Sequence, residues 1–82
     1  MVYAVTSELV PNPPRGDEAI ARHGQRVVGL LESARISARW IECRTSWLGP
    51  GVVDVIEAPD DATARAAADV IALAHASIEE AA

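Results

Sequence analysis

Apolar and polar residues alternate along this chain with two different periods, which divide it into strands and helices. Residues 2–9 are rich in β-branched and aromatic side chains, and three prolines within positions 11–14 follow them closely. Because proline cannot donate a hydrogen bond to a neighbouring strand, the pattern predicts a strand over residues 2–9 and an extended connection after it.

Helical periodicity begins at Asp17, which can serve as an N-cap, and apolar residues then recur every three or four positions. We therefore predict a helix over residues 17–34. Gly24 and Gly29 lie inside this segment, and each weakens a helix by up to about 1 kcal/mol relative to alanine. Their presence predicts close packing, where a larger side chain would not fit.

Two further strands are predicted on either side of a Gly-Pro-Gly turn. In residues 36–47, strict alternation puts Trp40 on one side of the strand, with Cys43 and Trp47 on the other. Residues 52–58 form the next strand, and the turn between the two favours an antiparallel hairpin. Apolar side chains fall on both faces of this hairpin, which indicates that both faces are covered.

The remaining segment predicts a helix over residues 60–75, capped by Asp60, and a short edge strand over residues 76–80. The element order β-α-β-β-α-β is that of a ferredoxin-like fold. We predict a single α+β domain over residues 1–82, with a four-stranded antiparallel sheet and both helices on one face. The open face is most simply buried against a second copy of the chain.

Size and charge narrow the possible partners. A chain of 82 residues with a single cysteine has no internal disulfide to stabilise it, so a homodimer, or a higher oligomer of dimers, is expected. The net charge of −5 argues against nucleic acid. Without a signal peptide or a membrane-spanning apolar run, we expect a cytoplasmic protein. Basic residues that are all arginine are typical of a GC-rich bacterial genome.

The run Gly-Pro-Gly-Val-Val-Asp-Val-Ile-Glu-Ala-Pro-Asp-Asp, from Gly49 to Asp61, resembles the third strand and following turn of GYD-domain proteins. These proteins belong to the dimeric α/β-barrel superfamily, and the second predicted helix fits the same template. The resemblance covers about half of the chain. The Gly-Tyr-Asp sequence itself is missing, because Gly51 is followed by Val52 and Val53, so no role of that tyrosine carries over.

The resemblance implies a homodimer in which two sheets face each other. In the enzymatic members of the superfamily it also implies a small pocket between helices and sheet. Those members include cofactor-independent monooxygenases, muconolactone isomerases and haem-degrading enzymes, whereas many others have no assigned activity.

His23 is the candidate catalytic residue, because it borders the apolar seam of the first helix and a histidine can move protons near neutral pH. The alternative is a boundary histidine bonded to backbone or water. Cys43 is best read as a small buried hydrophobic residue. The acid Asp54 lies in an apolar strand, where it faces solvent or pairs with Arg39 or Arg44. The candidate ligand-pocket residues are Tyr3, Trp40, Cys43, Trp47 and His75.

Two functions compete on these grounds. The first is a pocket for a small hydrophobic or aromatic molecule, used for binding or for cofactor-independent isomerase, cyclase or monooxygenase-like chemistry. The second is a non-catalytic dimeric interaction or structural module. No cofactor or metal is expected, because His23 and His75 lie far apart along the chain and the carboxylates are scattered.

Overall fold

The computed structural model describes the backbone of residues 1–7, 10, 13–45 and 51–81, and the side chains of these residues as far as His75. Its elements, in chain order, are β1 (Val2–Ser7), α1 (Asp17–Ser33), β2 (Arg39–Thr45), β3 (Val52–Glu57) and α2 (Asp61–Ala81). The predicted α+β class is confirmed.

The three strands form one antiparallel sheet in the order β1-β3-β2, with β3 in the centre. Since β3 is antiparallel to both neighbours, β1 and β2 run parallel to each other, and α1 makes the connection between them. This is the split β-α-β arrangement. The helices pack on each other, with α1 against β2 and α2 against β1 and β3.

One face of the sheet carries the core. Val52, Asp54 and Ile56 alternate along β3 and have no exposed surface, so this is the face that the helices cover. The alanines of α2 allow that helix to lie close to the sheet. The main core cluster consists of Val27, Leu31, Ile56, Ala58, Ala64, Ala67, Val70, Ile71 and Ala74.

A β-bulge directly after Trp40 decides which side chains of β2 face the core. Trp40 pairs with Ile56 and Cys43 pairs with Asp54, so both face the helices despite their odd spacing. The prediction that Trp40 and Cys43 lie on opposite sides is therefore wrong, because the bulge adds one residue to β2. Trp47, which was grouped with Cys43, lies outside the described residues.

The predicted edge strand over residues 76–80 is also wrong, because α2 continues through them to Ala81. Residues 76–81 contain neither glycine nor proline, and their alanines favour a helix that is already formed. The sheet of the described residues thus has three strands instead of four.

The other element limits differ by smaller amounts. β2 begins at Arg39 instead of residue 36, and residues 8, 9, 46 and 47 of the predicted strands lie outside the described residues. Asp60 caps α2 as predicted, since it accepts a hydrogen bond of 2.7 Å from the Thr63 amide. The prediction that Asp17 is the N-cap of α1 is wrong. The N-cap is Gly16, whose φ of 81° favours glycine.

The described part of the chain contains no helix that combines the length and the apolar character needed to cross a lipid bilayer.

The two glycines of α1 meet different surroundings. A Cβ atom added at Gly24 would overlap the Trp40 indole, with Cη2 only 2.6 Å away, whereas one at Gly29 meets nothing within 4 Å in the described part of the chain. The prediction that a glycine of α1 marks close packing is thus confirmed for Gly24 and wrong for Gly29.

We expect Gly24→Ala to lower the free energy of unfolding by about 1–3 kcal/mol, because the added methyl overpacks the contact with Trp40. The matched variant Gly29→Ala should raise it by up to about 1 kcal/mol through helix propensity alone. Denaturant unfolding of both variants checks this. Equal stability of the two would contradict the close approach of α1 to Trp40.

Candidate functional site

Three buried polar side chains from three separate elements meet behind the sheet, and we call them the Asp54 cluster: His23 of α1, Asp54 of β3 and His75 of α2. His23 Nε2 lies 2.7 Å from Asp54 Oδ1, and His75 Nε2 lies 3.1 Å from Asp54 Oδ2. The Trp40 indole N–H donates to Oδ1 at 3.0 Å. Each carboxylate oxygen therefore has at least one hydrogen-bond partner.

All three members occupy positions that the sequence pattern assigns to apolar residues. His23 lies four residues before the buried Val27, and His75 lies four residues after the buried Ile71, so each points from its helix into the core. Asp54 occupies the middle of the buried side of β3. Polar side chains in core positions are the signal by which sequence reasoning could have identified the cluster.

Asp54 was the member that sequence reasoning missed. It neither faces solvent nor pairs with Arg39 or Arg44, which instead make ion pairs with Glu57 and Glu42 respectively. Alternation along β3 requires Asp54 to face the helices once Ile56 does.

The carboxyl of Asp54 is held in its ionised form. Burial by itself raises its pKa, but the hydrogen bonds from His23, His75 and Trp40 outweigh burial and keep the pKa well below its ordinary value. The centre of the core therefore carries a negative charge that these donors stabilise.

The two imidazoles are arranged alike around this charge. Their rings stack with centroids 4.5 Å apart and planes 21° apart. An ionised carboxylate only accepts hydrogen bonds, so both Nε2 atoms donate to Asp54. Both Nδ1 atoms are buried without a hydrogen-bond partner among the described residues.

The cluster offers a set of atoms that suits a metal ion. One ligating atom from each of His23, Asp54 and His75 lies within 4.8 Å of the others. Divalent transition metals bind imidazole nitrogen and carboxylate oxygen at about 2.0–2.2 Å. Because the two imidazole rings are nearly parallel, a shared ion would require them to turn until both Nε2 lone pairs point at it.

Two predicted pocket residues adjoin the cluster. Trp40 meets the His23 ring edge to face, with centroids 6.2 Å apart. Cys43 lies opposite Asp54 in the sheet and is buried. Burial, followed by the charge and hydrogen bonding of Asp54, raises the pKa of the Cys43 thiol to about 12. A thiol held in this form is a poor nucleophile.

Tyr3 lies apart from the cluster. Its hydroxyl donates a hydrogen bond of 2.8 Å to Asp61 Oδ1 at the start of α2. It lines an open groove of about 330 Å³ between β1 and α2, whose floor includes Val5 and Ala64. The predicted pocket set is therefore divided: His75, Trp40 and Cys43 lie with His23, and Tyr3 lies elsewhere.

Comparison with known protein families found no family that matches this chain, and searches of curated proteins and of solved structures found no match. The fold and site define an α+β protein with a buried histidine-aspartate-histidine centre. The resemblance to GYD-domain proteins stays a prediction.

The Tyr3 contact predicts a shifted titration. Its hydrogen bond to Asp61, helped by partial burial and by the charges of Asp61 and Asp60, raises the pKa of the phenol above its ordinary value. Because Tyr3 is the single tyrosine, ultraviolet absorbance of tyrosinate follows it directly. Asp61→Asn should lower this pKa, whereas Asp69→Asn on the same helix should not. Equal titration in both variants would contradict the contact.

The Asp54 cluster predicts a large loss of stability when the carboxylate is removed. In chelator-treated protein, Asp54→Ala should lower the free energy of unfolding by about 3–5 kcal/mol, because two buried imidazole donors and the partly buried Trp40 N–H lose their acceptor. Asp54→Asn keeps one acceptor and should cost less. As a control, Glu57→Ala removes an exposed ion pair, which is worth at most about 1 kcal/mol. If Asp54→Ala lowered the free energy of unfolding no more than Glu57→Ala does, the hydrogen-bond network around Asp54 would be contradicted.

Proposed function

We propose that this chain is a metal-binding module in which His23, Asp54 and His75 hold one divalent transition-metal ion. The observation that carries the proposal is the convergence of their three ligating atoms at a buried point between two helices and the central strand. Two imidazoles and a carboxylate are a common ligand set for zinc and similar ions.

An ion at this point would change the hydrogen bonding of both imidazoles. Coordination through Nε2 moves each histidine hydrogen to Nδ1, which has no acceptor among the described residues. A buried donor without a partner costs about 1–3 kcal/mol, so the pair costs about 2–6 kcal/mol, which the bonds to the metal have to exceed.

The size of the protein supports the same proposal. A domain of 82 residues buries a small core and commonly needs a disulfide, a metal or a partner chain for its stability. An ion bound by α1, β3 and α2 together would link the two layers of the fold.

A second candidate function is supported by the unpartnered Nδ1 atoms. Asp54 orients both imidazoles through Nε2, and their buried Nδ1 atoms have no hydrogen-bond partner among the described residues. A small organic molecule that entered the core beside them would meet both Nδ1 atoms, which could then take part in cofactor-independent proton transfer. In this second candidate function, the ligand is a small hydrophobic or aromatic molecule and the protein is an isomerase, cyclase or monooxygenase-like enzyme. Nitrogen NMR of metal-free protein tests it: such a ligand must shift the Nδ1 resonances of His23 and His75.

We also propose that the module is a homodimer joined through the open face of its sheet. Val53 and Val55 face that side and are only partly buried, and Val2 beside them is 63% exposed. The GYD-like resemblance implies the same pairing of sheets. A homodimer of this kind is compatible with metal binding and also with the non-catalytic interaction role. A monomer mass by light scattering at micromolar concentration would exclude the dimer.

Metal binding is tested on chelator-treated protein titrated with Zn²⁺. Calorimetry should give one ion per chain, and an excess of about 100 times the dissociation constant should add about 2.7 kcal/mol of stability. For a domain of this size, that raises the melting temperature by roughly 10–20 °C.

The variants His23→Gln and His75→Gln should each lose this stabilisation. Glu57→Gln, which removes a carboxylate from the exposed side of the sheet, should keep it. Weak binding that is equal in all four proteins would show surface association only and would contradict the proposal.

A further inference from the structure

We infer that the open edge of β1 is an interface of its own, at which β1 pairs antiparallel with β1 of a second copy of the chain. This contact is separate from the proposed contact through the open face of the sheet, and it does not depend on a bound metal. Together the two contacts make a dimer of dimers.

The main chain of β1 offers unpaired hydrogen-bonding groups at this edge. In the described part of the chain, β1 pairs with β3 alone. Met1 and Ala58 exchange two backbone hydrogen bonds, each 2.9 Å long. Because such pairs alternate along an antiparallel ladder, the N–H and C=O groups of Val2, Ala4 and Thr6 point away from β3. A row of this kind is a template for another strand.

The two edges of the sheet differ in their protection against strand addition. β2, at the opposite edge, has a bulge and carries Arg39, Glu42 and Arg44, and both features discourage pairing. The β1 sequence Val-Tyr-Ala-Val-Thr-Ser contains no charge, no proline and no glycine. β1 is therefore the edge that favours pairing.

The groove beside β1 gives room to the side chains of an added strand. Tyr3 and Val5 face the helices, because each lies opposite a helix-facing residue of β3. The groove of about 330 Å³ lies between these side chains and α2, and Val5 and Ala64 form part of its floor. In a second copy paired antiparallel, the same two side chains lie on the helix side of the joined sheet, over the groove.

The direction of α2 decides which side chains meet across the interface. Asp61 at the start of α2 contacts Tyr3, and His75 near its end contacts Asp54, which pairs with Val5. α2 therefore runs in the same direction as β1. In a copy related by a two-fold axis, α2 runs in the opposite direction.

Charge selects a second copy as the occupant of the edge. The groove side of α2 carries Asp61 and, one turn later, Arg65, which makes no ion pair with the described residues. When the two-fold axis passes between these positions, Asp61 of each copy faces Arg65 of the other. Since β1 has no charge, the pairing brings no like charges together in the strands. The surface is thus complementary to itself.

Ala4→Pro tests the edge directly. Proline removes the outward N–H of Ala4 and no bond to β3, a change that an edge strand tolerates. In light scattering at micromolar concentration, this variant should have half the mass of the unmodified chain. The matched variant Ala4→Ser keeps the N–H and should keep the full mass. Circular dichroism shows whether both variants fold.

Charge reversal supplies a test that leaves β1 unchanged. Asp61→Arg and Arg65→Asp should each halve the mass, because like charges then face each other across the axis. An equimolar mixture of the two variants should regain the full mass, because opposite charges face each other again.

The outcomes distinguish this contact from the one through the open face. A folded Ala4→Pro variant with the mass of the unmodified chain would overturn the inference. If that variant does not fold, full mass in both charge variants would overturn it. Chains joined through the open face alone would keep their mass in all these variants and lose half of it in Val55→Asp. An unmodified chain that is a monomer would exclude both contacts and leave the β1 edge to an extended peptide of another protein.

Discussion

The constraint on which the rest of this structure depends is the burial of the ionised Asp54 carboxylate. A carboxylate buried away from water is stable only when hydrogen-bond donors surround it. Here the three donor side chains come from α1, α2 and β2. Since Asp54 itself lies on β3, one carboxylate connects four of the five elements. The network therefore joins both helices to the sheet through a single side chain.

Several details of the backbone follow from that network. Trp40 reaches Asp54 only because the bulge in β2 turns its side chain, and that of Cys43, toward the helices. The indole then occupies the space beside α1, where glycine at position 24 is the residue that leaves room for it. The bulge, the glycine and the buried acid are thus parts of one arrangement, although they lie far apart along the chain.

The strands, the helices and the antiparallel pairing were largely predictable, because they depend on local periodicity and on turn residues such as those around Asp60. The site was predictable only in part. His23 was predicted at the border of an apolar helix face and His75 as a pocket residue, but their common partner Asp54 was not, although an acid within an apolar strand was the signal for it. The prediction of a C-terminal strand over residues 76–80 was wrong because it followed a fold template, whereas the local sequence favours a helix.

The sequence by itself determined the class of the fold, its small core and its negative charge, since each of these depends on composition or on neighbouring residues. Tertiary structure decided which polar side chains meet. His23, Asp54 and His75 are separated by 31 and 21 residues, and they come together only when two helices pack on one face of the sheet. Residues so far apart along the chain meet because the elements pack together and because a buried charge needs partners. Neither effect can be deduced from a local sequence pattern.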